Sequence, residues 1–281
     1  MGHRSRLLLL ASLSTAVAGA LLAGQAAAAG AASAQRASVS HSAVAHGAVA
    51  PGLVYVPTGQ TLTMGMKGAA VKALQRRLNF LHYYAGTVDG DFGWHTMEAV
   101  WAFKEVQTGK AIPANPDIVG PAMQRLLVHP KLPPVLRRHA TWTRIEVNKN
   151  IGVLVVYHQT RIVLISHVST AAYCRPDGCG YVTPDGIYRA WLFEPGPVAD
   201  STYGGYMYNP VFFIGTAFAI HGMPDPTTTF SPDGVPLNAA SHGCVRIPMD
   251  ISTFLHTLIH VRSHNGTLIY IEGHDQADGG I

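Results

Sequence analysis

The residues best equipped for chemistry stand in Ser241-His242-Gly243-Cys244-Val245-Arg246, with Ile220-His221-Gly222 upstream. A thiol at its ordinary pKa is a weak nucleophile, and an imidazole within reach activates it by taking the proton. Gly243 lets the backbone turn tightly, so that the main-chain N–H groups of Gly243 and Cys244 can face a developing oxyanion. A cysteine beside a valine is ordinarily a buried core thiol, and the flanking histidines and glycines reverse that reading. The chemistry expected is acyl transfer through a thioester on Cys244, with a neighbouring histidine taking the thiol proton.

The neighbours divide into residues that touch substrate and residues that shape the loop. Two positions before Cys244 on extended chain, His242 shares its face, where it either touches substrate and tunes the thiol or only bonds the loop. Ser241 suits a side-chain to backbone bond that fixes the loop, beside the substrate. Arg246 can clamp a carboxylate with two hydrogen bonds. Tyr206, Met207 and Tyr208 either line a substrate groove or pack in the core. A zinc site built from His221, His242 and Cys244 is the metal alternative, but it would consume the thiol, and no His-Glu-x-x-His occurs.

The other two of the three cysteines lie in Tyr173-Cys174-Arg175-Pro176-Asp177-Gly178-Cys179-Gly180, a run of turn formers. They can close a small disulfide loop, leaving Cys244 as the free thiol of an exported protein. Zinc ligation by this pair is disfavoured, because no second pair stands at metal-site spacing.

These residues need a scaffold, and periodicity divides the chain at a proline-rich break, residues 130–141. Before it, Val71, Leu74, Leu78 and Leu81 recur at helical spacing and predict a helix over 69–82. Met97, Val100, Trp101 and Lys104 predict a second over 94–107, and Pro121 opens a third to Val128. Asp89-Gly90 between the first two is a turn signal, and too few oxygen ligands follow for a calcium loop. After the break, residues 143–147, 152–157 and 161–168 are rich in β-branched side chains between short polar turns and read as strands. Further strands are expected over 187–193, 211–220 and 267–271, with a late helix over 250–260 carrying Ile251, Phe254, Leu255, Leu258 and Ile259.

Two family resemblances rest on these motifs. Ile220-His221-Gly222 with Ser241-His242-Gly243-Cys244, together with Thr183-Pro184-Asp185-Gly186, resembles the L,D-transpeptidase (YkuD-type) catalytic domain, which acts on peptidoglycan stem peptides. Gly68 to Leu78 in the pattern Gly-x-x-Val-x-x-Leu-Gln-x-x-Leu, followed by Val-Asp-Gly-Asp-Phe-Gly, resembles the peptidoglycan-binding type 1 domain, a three-helix unit. The resemblance implies that Cys244 is the nucleophile, that His221 is the general base and acid, and that the Gly222 carbonyl orients His221. It also implies release of D-alanine and a cross-link between third stem residues, with no cofactor. Arg246 departs from the asparagine common at that position, while other members resemble this chain in having arginine. The alternatives within reach are an L,D-carboxypeptidase, in which water resolves the thioester, and an inactive wall-binding protein.

The fold class expected is α+β and multidomain: a small three-helix unit at 61–129, then a mostly-β domain at 142–273, a sandwich or closed barrel. Ahead of them, Arg4 and Arg6, an apolar run from Leu7 to Gly24 and the small residues Ala26 to Ala29 read as a signal peptide over 1–29. Its apolar run barely reaches the length of a spanning helix, so an uncleaved anchor is the alternative, and no later segment looks able to span a bilayer. Residues 30–60 read as a flexible linker. The expected location is therefore outside the cytoplasm, at the wall. A formal net charge of +4 across 281 residues is too weak to imply nucleic acid. The absence of Asp or Glu before Asp89 gives the N-terminal half a basic bias suited to an anionic polymer or to a solvated helix face. Oligomeric state is not legible in the chain.

Overall fold

The computed structural model describes residues 55–111, 113–175, 178–223 and 235–275. The expected signal peptide and residues 30–54 of the expected linker lie outside the described residues. Among the described residues no helix is long and apolar enough to cross a membrane.

Three helices come first: α1 (Ala69–Phe80), α2 (Trp94–Thr108) and α3 (Pro121–Val128). Val71, Leu74 and Leu78 give α1 a buried stripe, and Gly109 closes α2 in the left-handed conformation at φ 70°. The Asp89-Gly90 turn is a structural one. Gln75 Nε2 donates to Asp89 Oδ1 at 2.8 Å, and Gly90 N donates back to Gln75 Oε1 at 2.9 Å. Residues 55–60 run along this unit, with Tyr55 buried and Thr58 N donating to Gln124 Oε1 at 2.8 Å.

The strands are β1 (Arg144–Asn148), β2 (Val153–His158), β3 (Arg161–His167), β4 (Cys174–Arg175), β5 (Gly178–Cys179) and β6 (Gly186–Arg189). They continue as β7 (Leu192–Phe193), β8 (Pro197–Ala199), β9 (Tyr206–Ile214), β10 (Phe218–Gly222), β11 (Val245–Ile247) and β12 (Leu268–Glu272), with helix α4 (Met249–Leu255) between the last two. One sheet runs β3-β2-β1-β12-β6, and the second runs β11-β10-β9-β7 with β8 on β9. The α+β expectation holds, but the closed-barrel alternative is corrected. Both sheets are open, and they pack face to face, because Ile145, Leu154 and Ile269 of the first share one core with Val211, Ile220 and Val245 of the second.

Alternation along β2 explains the third layer. Leu154 and Val156 point to the second sheet, so Val153, Val155 and Tyr157 point the other way and join the helical core of Leu74, Val100 and Phe103. Sandwiched in this way, α2 is buried along nearly its whole length, including Glu98, Lys104 and Glu105. The proline-rich stretch is tied on both sides: Lys131 N donates to Gln107 Oε1 at 2.8 Å and Leu136 N to Glu146 Oε2 at 2.7 Å.

Two strand expectations are corrected. The single strand expected over 211–220 is a hairpin, β9 and β10, reversing at Gly215, whose φ is 47°. The strand expected over 187–193 is broken at Ala190, where β6 stays with the first sheet and β7 crosses to the second. Crossing lets the chain wrap the sandwich edge, with Ala190 N held by Thr267 O at 2.9 Å.

Candidate active site

The outer face of the second sheet carries the residues singled out for chemistry. Strands β10 and β11 run parallel with His221 opposite Arg246, and Cys244 immediately precedes β11. Paired residues share a face, and so do residues two apart on extended chain, so His221, Arg246 and Cys244 converge. All three border a cavity of about 600 Å³ whose wall also includes His242, Asp200 and Tyr203.

His221 is buried, and its Nδ1 lies 2.7 Å from the carbonyl oxygen of Gly222, its own neighbour. As donor to that carbonyl Nδ1 carries the proton, leaving Nε2 as the basic nitrogen. Burial pushes the imidazole down to about 4; the Gly222 carbonyl opposes the shift and the Arg246 charge adds to it. Burial also raises the half-buried Cys244 thiol, against a backbone hydrogen bond and the charge of Arg246. Its Sγ lies 3.7 Å from Ala217 O. The resting pair at neutral pH is therefore thiol and neutral imidazole, and not the thiolate and imidazolium of a preformed ion pair.

Both glycines of the motif are dictated by space. A Cβ on Gly222 would lie 2.4 Å from Ser252 Oγ of α4, so the strand that carries His221 reaches that helix only through a glycine. Gly243 has φ 146°, and a Cβ there would lie 2.3 Å from the Phe218 ring. Its N–H, expected to face an oxyanion, instead donates to Ser241 Oγ at 3.1 Å, and Ser241 Oγ donates to Cys244 O at 2.6 Å. Ser241 thus ties the loop on itself and, at 1 % exposure, offers little surface to a substrate.

Arg246 donates from Nη1 to Ala240 O at 2.8 Å, so part of the guanidinium is engaged in bracing the same loop. Tyr206 and Met207 both border the cavity, Tyr206 exposed at its rim and Met207 mostly buried with Phe212 and Ala219 beside Cys244. Cys174 and Cys179 are bonded to each other across β4 and β5, and Cys244 is the free cysteine.

Sequence reasoning missed the surroundings of His242. Its ring stacks on Tyr203 at 3.8 Å between centroids and meets the edge of Tyr181 at 4.7 Å. Tyr181 follows the disulfide hairpin, and Tyr203 sits in a turn pinned by Asp200, to whose Oδ1 Thr202 N and Tyr203 N both donate, at 2.9 and 3.0 Å. The run Asp200-Ser201-Thr202 carries an Asx-turn composition that could have announced this loop. Sequence reasoning also missed Lys149, buried, which donates to Thr183 O at 2.7 Å and pairs with Asp185 and Asp275, pinning the Thr183–Gly186 turn. With its ring between two tyrosines, His242 does not join His221 and Cys244 in a metal-ligand set. Among the described residues that geometry occurs at His95, Glu98 and Asp250.

On the outer face of this β sandwich a cysteine immediately before β11 thus stands beside a carbonyl-oriented histidine of β10. Residues 143–271 match the family model of the YkuD L,D-transpeptidase catalytic domain, and residues 67–108 match that of the peptidoglycan-binding domain. The chain thus carries an L,D-transpeptidase catalytic domain preceded by a peptidoglycan-binding domain. Among solved structures it is similar to an L,D-transpeptidase from Xylanimonas cellulosilytica at 27% identity and TM-score 0.64, covering 77% of this chain and 100% of that one. An L,D-transpeptidase from Stackebrandtia nassauensis aligns at 18% identity and TM-score 0.42, over 78% of this chain and 98% of that one. No curated protein matches the chain.

Proposed function

We propose that the protein is a peptidoglycan L,D-transpeptidase working at the cell wall through a thioester on Cys244. The observation that carries this reading is the bond from His221 Nδ1 to the Gly222 carbonyl, which presents the free Nε2 to the cavity that Cys244 borders. Cys244 Sγ attacks the carbonyl of the third stem residue while Nε2 takes the thiol proton. The C–N bond to D-alanine then breaks, and the departing amine receives that proton. An acceptor amine from a neighbouring stem attacks the thioester, loses its proton to Nε2, and restores the thiol as a 3-3 cross-link forms.

The resting thiol and imidazole are both neutral, so proton transfer accompanies attack, and burial disfavours a standing thiolate. The Cys244 N–H is the oxyanion donor in this reading, because the Gly243 N–H is held by Ser241. Arg246 places positive charge beside substrate carboxylates, with Tyr206 at the rim. The helical unit holds the enzyme on its polymeric substrate and raises local concentration. The chain needs no cofactor for these steps. Export of the protein by the segment 1–29 belongs to the same proposal.

The test is intact-protein mass spectrometry with a disaccharide-tetrapeptide donor, on wild type and Cys244→Ala. A wild-type adduct of donor less D-alanine, together with a cross-linked product, supports the reading. An adduct that yields only tripeptide makes the protein an L,D-carboxypeptidase, and no adduct with retained wall binding makes it a binding protein.

A further inference from the structure

Helix α2 belongs to the helical unit, yet two of its buried carboxylates reach the chain that leads into Ser241–Cys244. Glu98 and Glu105 are seven residues apart on α2, two turns along one face. Glu98 Oε1 accepts Val235 N at 2.8 Å. Glu105 Oε1 lies 2.8 Å from His167 Nδ1, and the other ring nitrogen, Nε2, lies 3.0 Å from Pro236 O. Glu105 and His167 are both wholly buried, and His167 ends β3. Consecutive residues, Val235 and Pro236, are thus held by one helix, the first directly and the second through a histidine of the sheet.

From there the hold continues without a gap to the thiol. Ser169 Oγ donates to Asn238 O at 2.7 Å, and Ala240 N and Ser241 N both donate to Thr170 O at 3.0 Å. Ser169 also exchanges backbone bonds with Arg246, at 3.1 and 2.9 Å. Ser241 then bonds Gly243 and Cys244. Buried hydrogen bonds are strong in the low-dielectric interior, and two on adjacent residues fix direction as well as position.

We propose that Glu98 is a positioning residue of the active site, assisted by Glu105 acting through His167, so that the helical unit sets the approach of the Ser241–Cys244 loop besides binding wall. This rests on Cys244 as the nucleophile. A displacement of about 1 Å at a reacting atom costs up to about a hundredfold in rate, so loss of this anchor acts on turnover more than on binding.

The experiment compares full-length wild type, Glu98→Ala, Glu98→Gln and Glu98→Asp. The readouts are thermal midpoint, kcat and KM for donor turnover, and the rate of Cys244 alkylation by iodoacetamide followed by mass. The expected result is a drop in kcat of about tenfold or more in Glu98→Ala with KM within about twofold, and an altered alkylation rate. Glu98→Gln, whose amide oxygen still accepts the Val235 N–H, restores both. Folded Glu98→Ala with unchanged kcat and alkylation overturns the proposal. Where Glu98→Ala does not fold, Glu98→Asp decides, because it keeps the carboxyl group and withdraws the acceptor by one methylene; wild-type values in that variant overturn it. Alkylation reads the thiol's setting even if the protein transfers no acyl group, which separates failure of this inference from failure of the transpeptidase reading.

Discussion

The Nδ1 of His221 and the carbonyl oxygen of Gly222, 2.7 Å apart, belong to neighbouring residues of one strand, so among the described residues the imidazole is oriented by its own backbone and not by a carboxylate. A carboxylate partner would stabilise an imidazolium. A carbonyl does so weakly, and in a buried site desolvation wins and leaves the ring neutral.

That balance sets the pH behaviour of the thiol. With His221 pushed down to about 4 and Cys244 pushed up by burial, no ion pair stands between pH 5 and 8. Alkylation of Cys244 by iodoacetamide should therefore climb continuously with pH through this range and beyond the ordinary thiol pKa of about 8.5. A plateau beginning near pH 6 would reveal a preformed thiolate and contradict the neutral pair. On the acid side, turnover should survive down to about pH 5 and fall only as the imidazole protonates.

Space around Gly222 makes a second prediction. Gly222→Ala puts a methyl group 2.4 Å from Ser252 Oγ and 3.1 Å from Met249 Sδ, so β10 must retreat from α4 and carry the orienting carbonyl with it. The expected cost is about 1–3 kcal/mol of stability from overpacking, and a loss of about a hundredfold in turnover from the displaced imidazole. Ser252→Ala relieves only the oxygen contact, so the double variant should recover part of the stability by chemical denaturation. Full activity in Gly222→Ala alone would show that the carbonyl is not needed.

Much of this site was legible in the chain because its chemistry is local: Cys244, His221 and the glycines lie within two short motifs, and the strict spatial demands on Gly222 and Gly243 leave few other residues possible. The hairpin at Gly215 was not legible, since Gly215-Thr216-Ala217 sits inside an apolar run without the Asn-Gly or Asp-Gly pair that announces a reversal. The burial of the α2 carboxylates was not legible, because periodicity reports only one partner surface and this helix has two. His242 against Tyr203 joins residues 39 positions apart through loops that carry no periodic signal.

That stack forms part of the cavity wall. Tyr203→Ala removes the ring lying flat on His242 and opens the wall beside Cys244, admitting water to the thioester. The fraction of acyl-enzyme resolved as tripeptide should rise several-fold relative to cross-linked product, while the rate of adduct formation changes less. Reduction of the Cys174–Cys179 bond should act in the same direction through Tyr181, which meets His242 edge-on. An unchanged partition in both would show that the aromatic wall does not control water.

The buried pair between α2 and β3 makes the protein's stability depend on pH, and the sign can be worked out. Desolvation raises the Glu105 carboxyl to about 7, and the carboxylate beside His167 raises that imidazole above its ordinary value. The hydrogen-bonded pair therefore keeps a proton in the folded state at pH values where the unfolded chain has released it. Stability from this source is present below about pH 4.5 for Glu105 and about 6.5 for His167, and it is lost as pH rises through the folded values. The thermal midpoint should thus fall as pH rises from about 4.5 through about 7. Glu105→Gln keeps a hydrogen-bonding oxygen near His167 but removes the carboxyl that titrates, so its midpoint should vary less over the same range. Parallel pH curves for the two proteins would mean that the pair exchanges no proton on unfolding. Because the pair lies where the helical unit meets the sheet, a wild-type loss on the alkaline side should also appear as earlier separation of α2 from β3, measurable by hydrogen exchange in the two elements.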